Sequence, residues 1–121
     1  MPQQTKTDQW IDVVAKLTAL TQDGDLEWLA DRYASDEPGV IDPSYRTSYK
    51  NRSLRLQKRR VARETFSGTE HVIAHFLDFV DDSDNSLWTF PEVDAIEHLY
   101  NAVRYQTAGV KDFVEDLLSD G

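Results

Sequence analysis

The sequence predicts an α+β domain, an antiparallel meander sheet of four or five strands with an N-terminal helix and two C-terminal helices packed on one face. Three observations predict it. Apolar residues recur at helical spacing at both ends of the chain, the middle switches to period-two alternation, and turn-forming residues punctuate that middle at short intervals. At 121 residues, 40% of them hydrophobic, the chain has the size and composition of one domain with one core, spanning 1–121 with frayed ends at 1–6 and 119–121.

The first helix is expected over 7–22. Trp10, Ile11, Val13, Val14, Leu17 and Leu20 form its inner stripe, Thr7 or Asp8 caps it, and Gly24 closes it. Residues 26–33 are read as a short edge strand from the alternation of Leu26, Trp28 and Ala30, although Trp28, Leu29 and Arg32 also suit a helical turn. Pro38, Gly39 and Pro43 then break any regular element and mark a loop from 35 to 43. From Ser44 the alternation of Tyr45, Thr47 and Tyr49 against Arg46 and Ser48 predicts a strand. The break at Lys50, Asn51 and Arg52 turns it into a hairpin, whose second strand opens at Ser53 with Leu54 and Leu56. Beyond Ser67 and Gly68, residues 70–80 carry apolar side chains on both faces and are expected to be the central, most buried strand. The polar run 81–85 is a turn, and 87–90 pairs back. Asp94 and Glu97 have capping-box spacing at the start of a helix with Ile96, Leu99, Tyr100 and Val103 inward. Gly109 ends it, and a last helix places Val110, Phe113, Val114 and Leu117 on one stripe.

No run near eighteen apolar residues and no secretion signal occur, so the expected product is soluble and cytoplasmic. The absence of cysteine excludes disulfides, thiol nucleophiles and thiolate metal sites. A net charge of −9 opposes general attraction to nucleic acid or anionic lipid.

The charge is unevenly placed. Residues 50–63 hold seven cations and no acid, and the rest of the chain carries a net −16. The candidate binding residues are Tyr45, Tyr49, Arg52, Arg55, Lys58, Arg59, Arg60 and Arg63, a basic and aromatic hairpin. Arginine and tyrosine are residue types that dominate binding hot spots, so the leading expectation is a non-enzymatic protein-interaction or regulatory module, whose partner is another protein or a second copy. The alternative is a nucleic-acid or nucleotide-phosphate binder that grips phosphates with the same arm. A plainer reading is that the arm neutralises the chain's own acids.

Other constellations are weaker. His71 and His75 are four apart on a predicted strand, roughly 13 Å at about 3.3 Å per residue, too far to chelate one ion. Asp81, Ser83, Asn85, Leu87, Thr89 and Glu92 have the spacing of calcium-loop ligands. Ser86, however, stands where such a loop needs glycine, and Pro91 adjoins the bidentate position. No nucleophile elbow, glycine-rich phosphate loop or zinc-protease motif is present. Paired carboxylates such as Asp81 with Asp82, or Asp112 with Asp116, keep an enzyme with an unrecognised carboxylate site as a third reading, with no cofactor and no metal expected.

Overall fold

A computed structural model describes residues 2–31 and 39–119. The chain runs α1 (Pro2–Gln22), β1 (Leu29–Asp31), β2 (Val40–Tyr49), β3 (Arg52–Thr65), β4 (Gly68–Val80), β5 (Ser86–Thr89), α2 (Ala95–Thr107) and α3 (Val110–Ser119). The five strands form one sheet in the order β1-β2-β3-β4-β5, every neighbour antiparallel. This is the expected meander and the expected α+β class.

Local chemistry explains each boundary. Pro2 stands at the first position of α1, where its missing N–H costs no helical bond, so α1 begins before the expected caps Thr7 and Asp8 and places both inside the helix. Gly24, at φ +81°, ends it. Asp42 and Pro43, expected in a loop, lie inside β2. A bulge accommodates them: between the Ile41–Lys58 and Tyr45–Leu56 pairs, three residues of β2 oppose the single Gln57, so the proline is not asked to donate a ladder bond. Lys50 and Asn51 both adopt positive φ in the two-residue turn to β3, the conformation that matches strand twist. The Tyr33 end of the expected first strand, and residues 35–38 of the loop that follows, fall outside the described residues.

The central strand is β3, not β4 as expected. Only the second half of β4 is covered, because β2 and β5 pair with the proximal part of the β3–β4 hairpin alone. The distal part, 60–73, overhangs as a two-stranded ribbon with Phe66 fully exposed at its tip.

One face of the sheet carries Tyr45, Leu54, Leu56 and Leu77 against α1 and α2, in a core completed by Val14, Leu17, Leu26, Trp28, Phe90, Ile96, Leu99, Tyr100 and Val103. The inner stripe of α2 is the expected one. Its cap is not, since Asp94 already has helical dihedrals and its carboxylate makes no cap bond. Gln106 ties three segments together. Its amide donates to the carbonyls of Thr21 and Leu26, and its oxygen accepts from the N–H of Trp28. The indole of Trp28 in turn donates to the Thr21 hydroxyl, 3.0 Å away.

Candidate interaction surfaces

Alternation along β3 sends its cations to opposite faces. Arg52, Lys58 and Arg60 share the helix-facing side with Leu54 and Leu56, while Arg55, Arg59 and Arg63 point to the other. At about 3.3 Å per residue the row from Arg52 to Arg63 extends over roughly 36 Å. It is a line along two faces, not a patch.

Most of the line is engaged by the chain itself. Arg55 meets the nearly buried Asp78 at 3.1 Å across β3–β4 and donates to the backbone carbonyl of Asp84. Arg46 pairs with Asp84 and reaches the carbonyl of Asp81. The acidic 81–85 turn thus folds back over these guanidinium groups. Arg63 meets Glu92 at 2.6 Å, which raises its pKa further. Arg59 donates twice to the Gln57 amide oxygen and lies over the Phe76 ring. The Lys58 ammonium sits 5.5 Å from the centroid of Tyr100.

Tyr45 is buried edge-on against Tyr100 and presents nothing to a partner. Tyr49, with the Lys50 ammonium over its ring, remains at the surface beside Arg52, and Arg60 is exposed on the ribbon. Of the eight candidates, only Tyr49 and Arg52 come together at an open site. Arg52 and Arg60 lie roughly 26 Å apart along the strand, too far to hold one phosphate jointly.

The calcium-like spacing resolves into a hairpin turn. The Asp81 carboxylate accepts from the N–H groups of Ser83 and Asn85 and from the Asn85 amide, and the Asn85 bonds hold its pKa below the ordinary value. Among the described residues no group of three metal-binding side chains occurs. His71 and His98 are exposed. His75 is half-buried, its ring 5.0 Å from that of Tyr100. Burial lowers its pKa; Glu97 opposes that shift and Lys58 adds to it.

Two features were not foreseen. The first is an open cleft of about 770 Å³ between α1 and the sheet. Val13, Leu17, Leu20, Leu54, Phe79 and Phe90 form its floor and walls; Asp8, Asp12, Lys16, Tyr49 and Arg52 ring its mouth. An apolar hollow with a few polar groups at its rim is the usual form of a binding site.

The second feature is α3. Its apolar stripe is the expected one, but none of its residues is buried: Phe113 is 65% exposed, Leu117 62% and Leu118 74%. Periodicity tells which side of a helix is apolar and is silent on what covers it. The exposure of that stripe therefore had no signal in the sequence beyond the stripe itself. Among the described residues no helix is long and apolar enough to cross a membrane. Compared with known proteins, the chain matches no family model, no curated protein and no solved structure, so its function has to be argued from these surfaces.

Proposed function

We propose that this chain is a non-enzymatic protein-interaction module that docks through α3. The carrying observation is the bare apolar stripe of that helix. A ten-residue helix is marginal in water without tertiary packing, and the neighbouring Gly109 and α2 give α3 an attachment but no cover. Phe113, Leu117 and Leu118 would each contribute about 1.5–3 kcal/mol on full burial, before the costs of association.

The charges beside the stripe describe the partner. Asp112, Glu115 and Asp116 flank it against the single cation Lys111 of the helix, so the complementary surface is an apolar groove whose rim carries cations where Glu115 and Asp116 arrive. Within the basic hairpin Arg55 and Arg63 neutralise the chain's own acids in this reading, and Tyr49 and Arg52 are the members left at an open site.

Site-specific photo-crosslinking in cells tests the proposal. A photoreactive residue at Leu117 should yield discrete protein adducts, and one at the exposed Asp82, far along the chain from α3, should not. Absence of adducts at Leu117, or equal labelling at both positions, would overturn it.

A further inference from the structure

We infer that the groove which receives α3 is the α1–sheet cleft of a second copy of this chain. The inference rests on the reading of α3 as a docking helix and names its partner. Among the described residues, α3 exposes an apolar stripe, and α1 and the sheet enclose an apolar cleft. A ten-residue helix is about 15 Å long. The cleft, about 770 Å³, lies within the range of roughly 300–1,000 Å³ that accepts a compact set of apolar groups.

Charge selects the seating. The mouth of the cleft bears the acids Asp8 and Asp12 toward the start of α1, and the cations Lys16 and Arg52 farther along, with Lys50 beside Arg52. The helix bears Lys111 and Asp112 in its first turn, which offset each other, and the two acids Glu115 and Asp116 a turn later. Laid with Lys111 toward Asp8 and Asp12, α3 brings Glu115 and Asp116 to Lys16 and Arg52. The reverse orientation sets the uncompensated pair Glu115 and Asp116 against Asp8 and Asp12.

Within its own chain, α3 begins beside the opposite end of α1, where Gly109, Lys111 and Asp112 line a more polar hollow with residues 21–24. A two-fold exchange between copies fills both clefts and covers both helices at once.

Sedimentation velocity on the full chain tests this with the wild type and three variants, each checked for native circular dichroism. The wild type should sediment as a dimer. Leu117→Asp should abolish dimerisation, and Lys16→Glu with Arg52→Glu should weaken it by about tenfold, the loss expected for two rim pairs turned repulsive. Glu115→Lys with Asp116→Lys should weaken it similarly, and mixing those two charge-reversed proteins should restore a heterodimer. Since the chain has no cysteine, Tyr49→Cys and Ser119→Cys proteins mixed under oxidation should form a covalent heterodimer.

A wild type that stays monomeric while Leu117 still crosslinks to a different protein overturns the second-copy assignment and leaves the docking helix standing. So does a dimer lost with Leu117→Asp but indifferent to the cleft reversals. A dimer indifferent to Leu117→Asp overturns both.

Discussion

Gln106 illustrates how one polar side chain can hold three elements in register. Its amide closes two carbonyls at the end of α1 and the start of the following loop, and its oxygen takes the N–H that opens the path into β1. Gln106→Leu strands all three backbone groups, so unfolding in urea should show a loss of about 2–4 kcal/mol with an unchanged slope. An unchanged midpoint would mean that water replaces the amide at no cost. The Arg55–Asp78 pair is more severe. Asp78→Asn removes the charge facing a nearly buried guanidinium and should cost about 3 kcal/mol in the same measurement, whereas breaking the exposed, solvent-screened Arg63–Glu92 pair with Glu92→Gln should leave the midpoint unchanged. His75 makes the pH dependence of stability specific. Its pKa is lower folded than unfolded, so between those two values the unfolded chain binds more protons. Its contribution is complete above about 6.5, the unfolded value, and is lost as the pH falls from there through the folded value. His75→Gln should flatten that segment of the stability curve, and a wild-type curve already flat there would contradict the assignment.

Among elements, legibility followed how local the decisive interaction is. The inner face of α2 was readable residue by residue because Ile96, Leu99, Tyr100 and Val103 repeat with the helical period, and the positive φ of Asn51 and Gly109 followed from residue type. The start of α1, the strand character of Asp42 and Pro43, and the uncapped Asp94 were not readable. Each depends on geometry set elsewhere: a proline that tolerates the first helical position, a bulge opposite Gln57, and an approach already helical before the cap. The apolar run of β4 pointed to a central strand, yet its first half lies on the ribbon beyond β2 and β5. That overhang contributes no core residue, and two strands alone are marginally stable in water. Amide exchange over 62–71 should therefore be orders of magnitude faster than over 54–57. Replacing 62–71 with an Asn-Gly turn should leave the rest folded and change stability by less than about 1 kcal/mol. Equal protection across the whole hairpin would show that the ribbon has cover in solution.

At the scale of the whole molecule, the concentration of cations at 50–63 was visible in one dimension and misleading in three. Strand alternation divided it between two faces, and its counter-charges arrive from 23 and 29 residues away, as in Arg55 with Asp78 and Arg63 with Glu92. No local pattern encodes those meetings. They bear directly on phosphate recognition, since binding a polyanion releases counterions only in proportion to the cations available to it. Lys50, Arg52, Lys58 and Arg60 form no ion pair with a carboxylate among the described residues, within a protein of net charge −9. Fluorescence anisotropy of a labelled single-stranded oligonucleotide should therefore stay flat at low salt up to high protein concentration. If it instead rises, and falls steeply as salt is added, the sign of the next experiment decides the matter. Loss of binding with Arg52→Ala and Arg60→Ala would make the hairpin a phosphate-binding arm, while persistence of binding would place the contact on another surface. A flat response leaves Arg46, Arg55 and Arg63 as partners of the chain's own carboxylates and Lys16 and Arg52 as partners of the acidic edge of α3.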